Sequence, residues 1–263
     1  MSRARFDDLL PRLLSAIVMV GIGLLTVWLG GLWFHALVIA VSAVMVWELV
    51  CMLDDQRNKA PLVLAVVAAA ALTLASEVPI SFGLPLLLLP SMVGLGRMQK
   101  GGVSYAVFTA AILIAGYGMM ALRDDFGLTW MSWLILVVVV TDIAGYFAGR
   151  IIGGPKFWPR VSPKKTWAGT IAGWIGAAGV GLAFAATTTA GAGLMGISIA
   201  VAMASQIGDI AESAIKRRTG VKDSSSLIPG HGGLLDRFDG MLGASLFIVI
   251  VGQLVGLPTG AIP

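Results

Sequence analysis

Runs of about 20 apolar residues recur along all 263 residues of the chain, and nothing else in the sequence limits its fold as tightly. A span of lipid leaves no water to satisfy backbone N–H and C=O groups, so only helices and closed barrels cross it. The runs here are continuous rather than alternating, which argues against a barrel and predicts an all-α, polytopic helical bundle. Composition agrees: 57% of residues are hydrophobic, 12% are charged and mean hydropathy is +0.91, whereas a soluble domain carries roughly twice that charged share. Nine spans are expected, at 13–32, 33–50, 61–75, 80–96, 103–122, 128–148, 168–187, 190–209 and 241–257. Pro79, Pro85 and Pro90 disturb the pattern around the third and fourth.

Basic residues orient the bundle. With the N-terminus inside and the spans alternating, Arg123 is the one outside residue of the 18 Lys and Arg. Arg3, Arg5, Arg12, Arg57, Lys59, Arg97 and Lys100 then face the cytoplasm with all the later ones, and the C-terminus lies outside. Arg3, Arg5 and Arg12 precede an apolar run with no convincing cleavage site, which suits a retained signal anchor. The expected organisation is an N-terminal transmembrane region over 1–122, with about five spans, and a C-terminal transmembrane catalytic region over 123–263. Two polar segments, 149–167 and 210–240, face the cytoplasm, where nucleotides are available. The net charge of +4 therefore points to an anionic leaflet and an anionic substrate, not to nucleic acid. The single cysteine, Cys51, excludes an intramolecular disulfide.

Chemistry concentrates in one hydrophilic stretch, 205–240, which holds five of the fourteen acidic residues. Asp209, Glu212, Ser213 and Lys216 are spaced i, i+3, i+4, i+7, so a helix continuing past the eighth span shows them on one face. Asp236 and Asp239 repeat the i, i+3 spacing at the start of the ninth span. Two carboxylate pairs around a glycine-rich turn suit a hard cation held together with substrate phosphates; salt bridging at a solvated helix end is the alternative. The turn, Pro229-Gly230-His231-Gly232-Gly233, lacks bulk, and its backbone N–H groups could approach phosphate oxygens.

The whole stretch is more specific than its parts. Ser213-Ala-Ile-Lys216-Arg217, Lys222-Asp223 and Pro229-Gly-His231-Gly232-Gly233-Leu-Leu-Asp236-Arg237-Phe-Asp239 resemble the C-terminal motif of the phosphatidate cytidylyltransferases (CDP-diacylglycerol synthases). Thr141-Asp142-Ile-Ala-Gly-Tyr146 is similar to that family's Asp-containing helix end, and Ser162-Pro-Lys164-Lys165-Thr166-Trp167 to its basic segment. Ala168 departs from the pattern, which commonly has Glu there. These motifs cover about a quarter of the chain; the N-terminal half resembles the family in hydropathy alone. The resemblance implies that CTP and phosphatidic acid give CDP-diacylglycerol and pyrophosphate in a bacterial-type inner membrane, with Mg²⁺ as one ion or a pair. The metal would be held by Asp209 and Asp236, with Glu212 and Asp239 behind them and Asp142 as a further ligand or a lysine partner. Lys216, Lys222, Asp223, His231, Asp236 and Arg237 are the expected catalytic groups. Ser162, Lys164, Lys165, Thr166, Ser213, Arg217, Gly232 and Gly233 are expected to bind substrate. The lipid bilayer is the other partner, and a homodimer is an allowed assembly.

Other features have plainer readings. Gly169, Gly173, Ala177 and Gly181 recur every fourth residue, a spacing that lets membrane helices approach closely. Glu48, beside Trp47, reads as an interfacial residue and His35 as an outer-surface one; Trp28, Trp33, Trp130 and Trp133 suit an outer aromatic belt. Arg217 and Arg218 suit anionic head groups, and Asp54, Asp55, Asp124 and Asp125 read as solvated loop charges. Two rival functions remain: a CTP-dependent polyprenol or phytol kinase, and a cation transporter through Asp142, Asp209, Asp236 and Asp239. A CDP-alcohol phosphotransferase is excluded because its Asp-Gly-x-x-Ala-Arg pattern is missing.

Overall fold

Small residues at every fourth position decide how closely helices of this composition approach one another, and much of the packing follows from them. A computed structural model describes residues 9–54, 60–98 and 100–255. In chain order it contains α1 (Leu9–Leu29), α2 (Gly31–Leu53), α3 (Ala60–Ser76), α4 (Ile80–Arg97) and α5 (Gly102–Ile151). There follow β1 (Lys156–Trp158), β2 (Ser162–Thr166), α6 (Trp167–Thr187), α7 (Gly193–Thr219) and α8 (Leu235–Val255). The described residues are thus all-α apart from an antiparallel hairpin that pairs Lys156 with Thr166 and Trp158 with Ser162. Among the described residues, α1, α2, α5, α6 and α7 are long and apolar enough to cross a membrane, and α3 and most of α4 are shorter apolar helices. The protein is an integral membrane protein.

The fifth and sixth expected spans share α5, whose 50 residues lose helical geometry at Gly127 (φ 79°, ψ −171°). A side chain would strain that left-handed backbone, so glycine is needed there. Pro85 and Pro90 lie inside α4 without ending it. The eighth span continues to Thr219, as the carboxylate spacing requires, and α8 begins at Leu235, early enough to include Asp236 and Asp239. Arg3, Arg5, Asp55, Arg57 and Lys59 lie outside the described residues.

The chain groups into two compact units, Met1–Asp124 with Arg218–Phe238, and Asp125–Arg217 with Asp239–Pro263. In the first, α2 packs against α1 and α3, and α3 against α4. Met45, Leu49, Leu64, Leu72, Ile112 and Leu113 are fully buried there. The Tyr105 ring fills the space over Gly94, where any Cβ would overlap it, and its hydroxyl donates to the Pro90 carbonyl at 3.2 Å. Arg123 closes the far end of α1. Its Nε donates to the Val27 carbonyl at 2.7 Å and its Nη2 to that of Trp28 at 3.1 Å, satisfying carbonyls that a helix C-terminus leaves without partners. Asp124 is no loop charge: it sits within α5, 2.7 Å from His35 Nε2.

In the second unit the stripe on α6 is a packing interface. Gly169, Gly173, Ala177 and Gly181 are all buried. A Cβ on Gly173 would lie 2.9 Å from Thr141 Cγ2, and one on Gly181 would lie 2.6 Å from Ser198 Oγ. α7 and α8 meet in the same way, since a Cβ on Gly208 would strike the Asp239 carbonyl and one on Gly243 that of Ala204. Trp130 and Trp133 correct the aromatic-belt expectation: both are buried, edge to face at 5.8 Å. The indole N–H of Trp133 donates to Ser198 Oγ at 2.9 Å, a partner that makes burial affordable for a polar-tipped ring. Trp28 and Trp33 are exposed, as a belt requires.

Gly181→Val should lower the unfolding temperature of the micelle-solubilised protein, by about 1–3 kcal/mol of stability, the usual cost of overpacking. Gly179→Val is the control, because its added Cβ meets nothing within 4 Å; equal effects of the two would contradict the interface.

Candidate active site

Two polar constellations stand out, one in each unit. In the second unit the hairpin delivers cations to the start of α6. Thr166 ends β2 and caps that helix: its Oγ1 accepts from the Gly169 N–H at 3.2 Å, and its carbonyl accepts from Thr170 Oγ1 at 3.1 Å. With Thr166 pinned, Lys164 and Lys165 stand at the mouth of a cleft of about 580 Å³. Asp142 and Arg150 line it from α5, and Gln206 and Asp209 from α7. Lys165 Nζ is 2.6 Å from Asp209 Oδ2, whose other oxygen accepts from Ser213 Oγ at 3.3 Å. Gln206 is held at both ends, accepting from Trp174 Nε1 at 2.9 Å and donating to the Thr170 carbonyl at 3.2 Å. Arg150 donates to the Tyr146 hydroxyl at 2.8 Å.

Asp142, Asp209 and Asp239 lie within electrostatic range of one another, with Lys165 offsetting the field at Asp142 and Lys216 that at Asp239. Asp239 Oδ1 accepts from the Gly240 N–H at 2.7 Å. Glu212 is 2% exposed and forms an i, i+4 ion pair with Lys216, so both sit as the helical spacing foresaw. Among the described residues no three of His, Cys, Asp and Glu form a ready-made metal-binding group. Mg²⁺, however, is commonly held by one or two carboxylates together with substrate phosphates and water. Asp142 and Asp209, both open to the cleft, fit that arrangement; a cage made of protein groups alone they do not form.

In the first unit the glycine-rich turn is closed by backbone bonds, from the Ile228 N–H to the Gly232 carbonyl at 2.8 Å and from the His231 N–H to the Ile228 carbonyl at 2.9 Å. Gly230 and Gly232 take φ of 75° and 84°, backbone that a side chain resists. The N–H groups beyond them are engaged from within. Asp236 Oδ2 accepts from the Gly233 N–H at 2.8 Å, from the Ser224 N–H at 2.8 Å and from Ser224 Oγ at 2.9 Å. Glu48, reaching in from α2, accepts from the N–H groups of Leu234 at 2.9 Å and Leu235 at 2.8 Å. It also accepts from Ser225 Oγ at 2.7 Å and shares with Asp236 the single O–H of Ser224, whose Oγ is 3.1 Å away.

That geometry corrects two expectations. Glu48 is not an interfacial residue: it is 0% exposed and ties the loop to α2. The turn's backbone is not an open phosphate cradle either, because the N–H groups of Gly233, Leu234 and Leu235 already face carboxylates. Gly233 lacks a side chain for the same reason, since a Cβ there would strike Ser224 Oγ and Glu48 Oε1. His231 Nδ1 lies 3.0 Å from Ser15 Oγ on α1, and Arg237 Nε donates to the His231 carbonyl at 3.0 Å. Asp223 packs beside Gly232, while Lys222, Arg217 and Arg237 are exposed. The cleft thus gathers Asp142, Lys164, Lys165, Thr166 and Asp209, with Ser213 behind Asp209 and Ser162 at the start of β2. The loop gathers Asp223, His231, Gly232, Gly233, Asp236 and Arg237. A lone acid near a span end gives no local signal, so the sequence offered no means of finding Glu48.

A polytopic helical membrane protein that gathers acidic and basic side chains in a cleft at the ends of its helices belongs, as a class, with membrane proteins whose ionisable residues mark a functional site. The match to known families is more particular. Residues 10–255 match the model of the cytidylyltransferase family, and the chain belongs to that family. It is similar to the phosphatidate cytidylyltransferase of Brucella suis biovar 1, with 36% identity over 96% of each chain. It is also similar to that of Helicobacter pylori, at 37% identity over 56% of each chain. Against that of Haemophilus influenzae it is 42% identical over 46% of this chain and 44% of the relative.

Gly233→Ala should lower thermal stability in micelles by about 1–3 kcal/mol and disorder the loop. An unchanged melting temperature would contradict the carboxylate-filled turn.

Proposed function

We propose that this protein is a nucleotidyltransferase that joins phosphatidic acid to the cytidylyl group of CTP, giving CDP-diacylglycerol and pyrophosphate for phospholipid synthesis. The observation that carries this reading is the cleft in which Lys164, Lys165 and Arg150 face Asp142 and Asp209, in a chain similar to named phosphatidate cytidylyltransferases over nearly its whole length. An oxygen of the lipid phosphate attacks the α-phosphorus of CTP. The bond from that phosphorus to the oxygen bridging to the β-phosphate breaks, and pyrophosphate departs with the electron pair. The attacking phosphate is already ionised near neutral pH, so no strong base is required.

The obstacle is repulsion between two polyanions and the charge that gathers on the leaving group, and catalysis comes mainly from positioning and fixed positive charge. Lys164, Lys165 and Arg150 supply that charge in the cleft. Asp209 holds Lys165 in place at 2.6 Å, and Ser213 steadies Asp209 from the next turn of α7. Glu212 does the same for Lys216. On the loop, considered by itself, Lys222, His231 and Arg237 are the groups suited to phosphate oxygens, and Asp236 keeps the loop in shape. Asp142 and Asp209, with Asp239 nearby, would hold Mg²⁺, which when bound adds positive charge at the phosphates and favours loss of pyrophosphate. An apolar groove of about 390 Å³ beside Trp47, Leu62 and Val66, flanked by Leu227 of the loop, offers room for a lipid chain. The distribution of basic residues supports a cytoplasmic N-terminus, cleft and loop in a bacterial-type inner membrane, on the side where CTP is supplied.

Purified protein in mixed micelles should convert phosphatidic acid, CTP and Mg²⁺ into CDP-diacylglycerol and pyrophosphate, identified by mass. Chelation by EDTA should abolish the product and added Mg²⁺ restore it. Asp209→Asn, which removes charge with little change of volume, should lower kcat by at least about a hundredfold, or roughly 2.7 kcal/mol in the barrier. Production of CDP with a phosphorylated polyprenol in a parallel incubation, or near-normal turnover by Asp209→Asn, would contradict this reading.

A further inference from the structure

We infer that Glu48 is a positioning residue of the reaction, an internal anion that fixes the loop 224–235 in the shape that presents His231 and Arg237 to substrate. The inference rests on the function proposed above and extends it to a helix with no motif of its own.

Geometry gives the carboxylate an unusual job. Its four partners come from both ends of the loop: Ser224 and Ser225 as the loop sets out, Leu234 and Leu235 as it enters α8. The N–H groups of Leu234 and Leu235 are among those that a helix N-terminus leaves without intrahelical partners, at the end where its dipole favours negative charge. Glycine-rich turns leading into helices commonly place a phosphate there. Here Glu48 takes that place at 0% exposure, and Asp236 takes the adjacent N–H of Gly233. Substrate phosphates therefore meet the loop's side chains, not its backbone.

Those side chains hang on the same frame. Arg237 follows the bound N–H groups directly, and its Nε reaches back to the His231 carbonyl at 3.0 Å. His231 is set by the turn that Ile228 and Gly232 close, and its Nδ1 faces Ser15 at 3.0 Å, which turns Nε2 away as the nitrogen left for a substrate. Loss of the carboxylate would leave two N–H groups buried without acceptors, a costly state that the loop relieves by opening. An amide in its place keeps the shape but offers its NH₂ to groups that are themselves donors.

The test compares the full-length wild type with Glu48→Gln, Glu48→Asp and Ser225→Ala in phosphatidic acid micelles, measuring kcat, KM for CTP, melting temperature and hydrogen exchange at Leu234 and Leu235. Glu48→Gln should lower kcat at least about tenfold while remaining folded at the assay temperature, with KM for CTP nearly unchanged and faster exchange at both amides. Glu48→Asp, which keeps the charge, should recover part of kcat; Ser225→Ala, which removes one of the four bonds, should fall between Gln and wild type. Wild-type kcat in Glu48→Gln would overturn the inference, as would a loss that merely equals the fraction of unfolded protein. Absence of CDP-diacylglycerol from wild type would instead overturn the reaction on which it rests, and exchange at the two amides would still report the loop geometry independently.

Discussion

A carboxylate with no exposure to water must find donors for its oxygens or it destabilises the fold that buries it. Glu48 meets that requirement with two serine hydroxyls and two backbone N–H groups from a loop about 180 residues further along the chain. The dependence runs both ways. The loop's polar groups are removed from solvent and need an acceptor, and the acceptor needs them. Asp236 repeats the arrangement beside it, collecting Ser224 and Gly233. Gly233 follows as a consequence, because the two carboxylates and Ser224 leave no room for a Cβ.

The cleft in the other unit solves a different problem. Its acids, Asp142 and Asp209, and the neighbouring Asp239 repel one another, and Lys165 and Lys216 offset that repulsion. A site of this kind is poised for polyanions, since a triphosphate brings negative charge to the lysines and can share a cation with the carboxylates. The close helix packing that frames it depends on residues without side chains. Gly169, Gly173 and Gly181 on α6, and Gly208 and Gly243 between α7 and α8, let backbones approach to distances that alanine would forbid.

Much of this was legible in the sequence because the signals are local. Apolar runs mark the helices, the i, i+3, i+4, i+7 spacing foretells one shared face of α7 for Asp209, Glu212, Ser213 and Lys216, and the fourth-residue stripe foretells the close-packed face of α6. What escaped was tertiary. Nothing near Glu48 announces partners so distant in sequence, and the tryptophans at 130 and 133 look like belt residues until Ser198 is seen to receive an indole N–H. The glycine-rich turn was read for its freedom from side chains, which is real. The Gly233 N–H and those of Leu234 and Leu235 just beyond it are taken by the protein's own acids, and composition cannot reveal that. The hairpin of β1 and β2 gives no sequence signal, because strands of three and five residues, flanked by Pro155 and Pro159 and interrupted by Pro163, leave too short a pattern.

The central claim is that the cytidylyl group, and not the terminal phosphoryl group, passes from CTP to the lipid. The most direct measurement supplies CTP carrying radioactive phosphorus at either the α or the γ position and follows the label into lipid and pyrophosphate. Cytidylyl transfer leaves α label in the lipid product and γ label in pyrophosphate. Radioactivity in the lipid from γ-labelled CTP would contradict it.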